Sequence, residues 1–233
     1  PSLFLSSRKC SEAFCSLEID HTMVKNSENY DEKRNRAQGI HKIIPIERVT
    51  EINLDQMKDF ILGREGRKII NREEWVDNSI QYNIFKMPSA DFFNLYRHIR
   101  DTFYEKCDEI GINMTCQHYI HGWCNIFEKG DSIEWHSHCE KNLPNMYHGV
   151  FCVDPAGESF TEYRYNDTKK VYSSIKSIAG QGHFICDMIT EHRSTENESN
   201  EPRITIAFDI VDLSNYQRHW DTPNGNQFIP FIQ

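Results

Sequence analysis

The sequence predicts a mainly β protein with flanking helices, of the α+β class. Between residues 112 and 212, short apolar runs alternate with turn residues about every 8 to 12 positions, which is typical of a β-sandwich or β-barrel. Before residue 112, by contrast, apolar residues recur at helical spacing. A chain of 233 residues, 38% of them hydrophobic, can bury a substantial core.

Two helices are predicted in the first half of the chain. The stretch LDQMKDFILG has apolar residues at helical spacing over 54–63 and ends in Gly63. A second helix begins after Pro88-Ser89, where Ser89 can cap it. Its apolar residues follow a three-to-four period up to Gly111.

The change of pattern near residue 111 divides the chain into two parts. Residues 1–111 are predicted to form a helical and loop flank, and residues 112–233 a β core with a C-terminal tail. We expect the flank to pack on the core, so that the whole forms one compact domain. The charged stretch 25–39 is predicted to be an exposed loop.

The overall charge and the cysteine pattern restrict the class of protein. A net charge of −9 disfavours binding to nucleic acid or to anionic membranes. No apolar run approaches the ~18–20 residues of a membrane span, and the first residues lack the features of a signal peptide. None of the eight cysteines forms a CxxC pair, so we expect reduced thiols in a cytoplasmic protein.

The stretch EWHSHCE, residues 134–140, is the strongest candidate for a metal site. In an extended segment, alternation places His136, His138 and Glu140 on one face. Any two of these three side chains could chelate a metal together. The residues alone do not decide which pair does so.

Two further residues complete a candidate iron site. A facial site takes two ligands from one strand and a third from elsewhere, with positions left open. His192 lies just past an apolar run, and Arg203 follows it by 11 residues at the start of the next strand. If Arg203 faces inward, its guanidinium needs an anion as partner.

These elements resemble the 2-oxoglutarate/Fe(II)-dependent oxygenases over roughly residues 117–212. Members carry a His-x-Asp/Glu pair, a distal histidine and an arginine or lysine about ten residues later. The resemblance implies a double-stranded β-helix (a jelly roll, cupin-like) with Fe²⁺ and 2-oxoglutarate as cofactors. The matching stretches are WCNIFEKGDSIEWHSH, HGVFCVD, GQGHFICDMITEH and EPRITIAFDI.

The chain departs from the family at one ligand, because His138 stands where the family has aspartate. In one register His136 and His138 act with His192, as in oxygenases with an HxH…H motif. In the other, His138 and Glu140 form an HxE pair with His192. The distance from the Gly-Asp turn and the upstream Trp-x-Asn element favour the first register, and the second stays open.

The resemblance implies hydroxylation of a C–H bond, with O₂ consumed and succinate and CO₂ released. Arg203 would hold the distal carboxylate of 2-oxoglutarate, and Asn125 and Tyr119 would also contact this cosubstrate. No catalytic residue beyond the metal ligands is expected. The substrate would be a protein side chain or a small metabolite.

Two other functions fit the same residues. A cupin-type metal enzyme without 2-oxoglutarate would be favoured if Arg203 faced solvent. A non-catalytic metal-binding β-sandwich module would be favoured by closed ligation through His136, His138, Glu140 and His192. His183 is expected to pack against a neighbouring strand. His118, His121 and His148 flank strands and could line the cavity, but a structural role is favoured for them.

Overall fold

The computed structural model describes residues 43–63, 82–110, 116–138, 146–165, 168–185, 190–213, 216 and 227–231. The predicted charged loop at 25–39 lies outside these residues. No helix within them combines the length and apolar character needed to cross a bilayer.

Both predicted helices are confirmed. Helix α1 spans Leu54–Leu62, and the Asn53 side chain caps it by accepting a hydrogen bond from the backbone of Gln56. Helix α2 spans Ala90–Ile110, and the Ser89 hydroxyl accepts a hydrogen bond from the backbone of Asp91. A 3-10 helix over Ile84–Lys86 precedes α2.

Ten strands are found among the described residues, in two sheets. The first sheet has the order β1-β7-β4-β9-β2-β10 and the second has the order β3-β8-β5-β6. The strands are β1 (Ile43–Ile46), β2 (His118–Phe127), β3 (Ile133–His136), β4 (Met146–Asp154), β5 (Phe160–Arg164), β6 (Val171–Lys176), β7 (Gly182–Ile185), β8 (Glu191–Ser194), β9 (Arg203–Asp212) and β10 (Ile229–Phe231).

Strands β2 to β9 have the connectivity of a jelly roll, as predicted. The chain places β2, β4, β7 and β9 in one sheet and β3, β5, β6 and β8 in the other, with antiparallel pairing throughout these described strands. Strand β1, from the segment expected to be helices and loops, pairs with β7 at one edge. The division of the chain at residue 111 therefore stays a prediction.

Strand β9 separates the apolar core from a polar interior. Its even-numbered residues share one apolar core with both helices, whereas its odd-numbered residues face the four-stranded sheet. This core includes Ile204, Ile206, Phe208, Ile210, Met57, Ile61, Phe92 and Ile99. The interior face carries Arg203, Thr205, Ala207 and Asp209, and this alternation positions the site described below.

Gly149 of β4 allows close packing on this core. It lies opposite Phe208, and an added Cβ would stand 2.1 Å from the Phe208 ring. We expect Gly149→Ala to lower the free energy of unfolding by about 1–3 kcal/mol, because the ring must move within a packed core. Urea denaturation measures this, with Gly157→Ala as control, since its Cβ would meet only Ser199 at 3.8 Å. Equal midpoints for the two variants would contradict the prediction.

Candidate metal centre

Strand pairing brings together the three histidines predicted to bind metal. His136, the last residue of β3, is the register partner of His192 in β8. His138 follows two residues later, and its Nε2 lies 3.2 Å from Nε2 of His136. One ligand atom from each histidine lies within 4.8 Å of the other two, so a single ion could contact all three.

Hydrogen bonds at the opposite ring nitrogen orient two of these histidines. Nδ1–H of His136 donates to the backbone carbonyl of Glu134 at 2.8 Å. Nδ1–H of His192 donates to the carbonyl of Thr190 at 3.4 Å, a longer bond. A carbonyl oxygen only accepts, so each Nδ1 carries the proton and each Nε2 keeps a lone pair available for a metal.

The surroundings keep these rings neutral. Burial, followed by the neighbouring histidines, holds the pKa of His192 well below its usual value. Burial also lowers the pKa of His136. A histidine binds metal in its neutral form, so little free energy is spent on removing protons near neutral pH.

Asp209 and His148 adjoin the three histidines. Asp209 was not predicted as part of the site, and a structural role was favoured for His148. Nδ1–H of His138 donates to Oδ1 of Asp209 at 2.8 Å, and Nδ1–H of His148 donates to the same oxygen at 3.0 Å. Burial lowers the pKa of His148 to about 3, so this ring is neutral. Strand alternation from the predicted Arg203 could have identified Asp209, because both lie on one face of β9.

Arg203 faces the interior, as the oxygenase hypothesis requires. Its side chain is 1% exposed, lies over the ring of Phe127 at 4.0 Å and donates from Nη2 to the carbonyl of Thr195 at 2.8 Å. Nε and Nη1 are buried without a hydrogen-bond partner among the described residues. Burial lowers the pKa of Arg203 to about 10, which still leaves it charged at neutral pH.

A cavity of about 290 Å³ lies between the sheets, and the three histidines line it together with Asp209, Trp123, Asn125 and Thr205. Asn125 is buried, and its Nδ2 donates weakly to Oγ1 of Thr205 at 3.5 Å. Its Oδ1 has no hydrogen-bond partner among the residues described. The pair Asn125–Thr205 lies two positions along the ladder from the pair Phe127–Arg203 and on the same face, so Asn125 is the cavity residue of β2 nearest to Arg203 along the strand.

Of two other predicted site residues, one is described by the structure and lies away from this cavity. Tyr119 lies four residues along β2 from Trp123 and does not line the cavity. Its ring stacks instead on Tyr216, with ring centroids 3.9 Å apart. The structure thus offers no support for Tyr119 as a cosubstrate contact. Glu140, the alternative ligand, lies outside the described residues.

His183 has the structural role that the sequence suggested. Burial lowers its pKa to about 4, and its Nε2 lies 2.8 Å from the hydroxyl of Tyr163, which is fully buried. We expect Tyr163→Phe to lower the free energy of unfolding by about 1–3 kcal/mol, because a buried ring nitrogen loses its partner. Thermal unfolding tests this against Thr50→Ala, which removes an exposed hydroxyl. A Tyr163→Phe protein as stable as the control would refute it.

The fold and the site together define a jelly-roll protein with a candidate three-histidine metal centre. No protein-family model matches the chain, and neither does any curated protein sequence. Among solved structures, the non-haem α-ketoglutarate-dependent epimerase SnoN from nogalamycin biosynthesis is 13% identical, with a TM-score of 0.49 over 77% of this chain and 80% of its own. AviO1 from Streptomyces viridochromogenes is 15% identical, with a TM-score of 0.44 over 57% of this chain and 66% of its own.

A prolyl-4-hydroxylase from Pseudomonas putida is a third similar structure. It is 10% identical, with a TM-score of 0.42 over 53% of this chain and 69% of its own. Identities this low concern the fold alone. The chemistry of this chain is therefore inferred from its own residues.

Proposed function

We propose that this protein is a non-haem Fe(II) and 2-oxoglutarate-dependent dioxygenase that hydroxylates a C–H bond of its substrate. The observation that carries the proposal is Arg203, a buried guanidinium with two nitrogens that lack a hydrogen-bond partner among the described residues, in the same interior as the three clustered histidines. A buried charge without an anion is costly. A dicarboxylate that also reaches the metal would remove that cost.

The three histidines fit the metal that this function requires. Imidazole nitrogens suit iron, and a three-ligand facial site leaves positions for a cosubstrate and O₂. With iron and 2-oxoglutarate bound, the centre would supply O₂ activation, and 2-oxoglutarate would leave as succinate and CO₂. The HxH register is supported by His138, whose Nε2 faces His136.

The position of Arg203 suits a short dicarboxylate. Its guanidinium contacts the carbonyl of Thr195, three residues along the chain from His192, which is about 10 Å of extended backbone. A five-carbon keto acid could chelate the metal at one end and place its distal carboxylate at Arg203. Asn125, beside this path, would contact the cosubstrate through its amide.

The cupin-type alternative without 2-oxoglutarate loses support, because Arg203 faces the interior rather than solvent. We further propose that the substrate is a protein side chain or a small metabolite and not nucleic acid, which agrees with the net charge of −9. A cytoplasmic location is part of the proposal. It is supported by the free thiols of Cys116, Cys124 and Cys152.

Anaerobic titration of the purified protein with Fe²⁺ and then 2-oxoglutarate tests the proposal. The expected result is a visible metal-to-ligand charge-transfer band that appears only when both are present, followed by succinate formation on exposure to O₂. Iron binding without the band would indicate a metal enzyme of another kind. Absence of iron binding would refute the dioxygenase altogether.

A further inference from the structure

We infer that Asp209 is a positioning residue of the metal centre, which supplies through His138 the carboxylate that the HxH motif lacks. The inference rests on the metal site of the proposed function but not on 2-oxoglutarate. It concerns a residue that takes no part in the ligand set His136, His138 and His192.

The cluster contains two overlapping sets of potential ligands. The first is His136, His138 and His192, and the second is His138, His148 and Asp209. In the second set, Oδ1 of Asp209 lies 2.8 Å from Nδ1 of His138 and 3.0 Å from Nδ1 of His148. Both separations are ordinary N–H···O hydrogen-bond lengths.

Every one of these atoms has a partner if a single metal is bound by the first set and Asp209 accepts hydrogen bonds from His138 and His148. A metal in the first set uses Nε2 of His138, which faces His136, and leaves Nδ1–H to donate to Asp209. A cation bound between Oδ1 of Asp209 and the two Nδ1 atoms would require both Nδ1 protons to leave and both hydrogen bonds to break. The geometry therefore assigns Asp209 as an acceptor and not as a ligand.

As an acceptor, Asp209 would act on the metal in two ways. It fixes the ring of His138 and the tautomer that presents Nε2, and its negative charge makes that nitrogen a stronger donor. Oδ1 of Asp209 accepts two hydrogen bonds, from His138 and from His148, and this arrangement favours the charged form of the carboxylate. The negative charge of Asp209 would offset part of the positive charge of a divalent ion, which uncharged histidine ligands do not offset.

The fold holds Asp209 firmly in place. It lies in β9 between β4 and β2, with His148 and His121 as its register partners. The ring of His148 stacks on His192 with centroids 4.4 Å apart and lies 3.9 Å from the ring of His138, so the two rings that donate to the carboxylate are packed against each other. A carboxylate held by two donors on a central strand is preorganised for a supporting role.

Titration of the metal-free, full-length protein with Co²⁺ tests the inference. We expect wild type to bind one equivalent and Asp209→Asn to bind it roughly 10- to 100-fold more weakly, with an altered Co²⁺ visible spectrum. Asp154→Asn is the matched control, because Asp154 is a carboxylate of the same sheet that pairs with Lys58 away from the site. It should leave both the affinity and the spectrum unchanged.

Three outcomes would overturn the inference. Unchanged affinity in Asp209→Asn would show that the carboxylate has no effect on the metal. Two equivalents in wild type, one of them lost in Asp209→Asn, would make Asp209 a ligand of a second cation. Wild type that binds no Co²⁺ would remove the metal centre itself, and the proposed function would fail with it.

A second variant decides the matter if Asp209→Asn does not fold. His148→Gln keeps an N–H donor for Asp209 but removes the imidazole. One equivalent of Co²⁺ bound with affinity within a few-fold of wild type would support Asp209 and His148 as a hydrogen-bonded pair beside the metal. Loss of Co²⁺ binding would make His148 a ligand and overturn the assignment.

Discussion

His138→Ala is expected to lose iron and, with it, the formation of succinate from 2-oxoglutarate. Two of three ligands cannot hold the ion in a facial site that is already open on one side. The loss of affinity should exceed the roughly 10- to 100-fold typical of a partner outside the ligand set. Iron content after anaerobic reconstitution and succinate yield by mass spectrometry measure the two effects.

Glu140→Ala provides the comparison, because the HxH register predicts that it keeps its iron. If Glu140→Ala lost the metal and His136→Ala kept it, the ligands would be His138, Glu140 and His192. The HxE register would then replace the one that the described geometry favours. Circular dichroism of each metal-free variant would establish that it is folded.

Arg203→Met is expected to weaken 2-oxoglutarate binding while it stabilises the protein without ligands. Removing one partner of a buried charge pair costs about 2–5 kcal/mol of binding, at least roughly 30-fold in affinity. Without ligands, however, the variant no longer buries a charge whose Nε and Nη1 lack a hydrogen-bond partner among the described residues. Methionine can keep the packing on Phe127, so the free energy of unfolding should rise by about 1–2 kcal/mol. Cosubstrate titration of the charge-transfer band and urea denaturation measure the two quantities.

Arg100→Met is the control for both measurements. Arg100 lies on α2 and pairs with its neighbour Asp101. It is distant in sequence from the residues that line the cavity. If Arg203→Met destabilised the empty protein instead, the contacts of the guanidinium with Thr195 and Phe127 would outweigh its burial. Arg203 would then be a structural residue, and the main support for a dicarboxylate would be lost.

The sequence was informative where local pattern determines structure. The capped apolar period after Ser89 is a property of a short segment, and the helix that it predicts is confirmed. The alternation of His136, His138 and Glu140 is tested only in part: β3 ends at His136, the His138 ring still lies beside that of His136, and Glu140 is outside the described residues. The sequence left the orientation of Arg203 open, and the structure shows that it faces the interior. The HxH ligand set itself stays a prediction that the geometry supports.

Longer-range pairing explains what the sequence did not reveal. His148 joins the site only because β4 pairs with β9 in one register, across some 60 residues of chain. Strand β1 (IIPI) is too short to show an alternating pattern and includes Pro45. It was therefore not predicted as a strand. Tyr119 has the correct alternation but lies too far along β2, since alternation fixes the face and not the position along the strand.

Because Arg203 and Asp209 lie on a single strand, insertions and deletions between them are constrained. One residue inserted between them would reverse the side-chain direction of one position relative to the other, since side chains alternate with period two. Only one of the two could then face the interior between the sheets, and the other would point into the apolar core that packs against the helices. Insertions and deletions should thus be tolerated in the turns around β9 but not within Arg203–Asp209, where a scan of single-codon insertions would find a continuous intolerant segment.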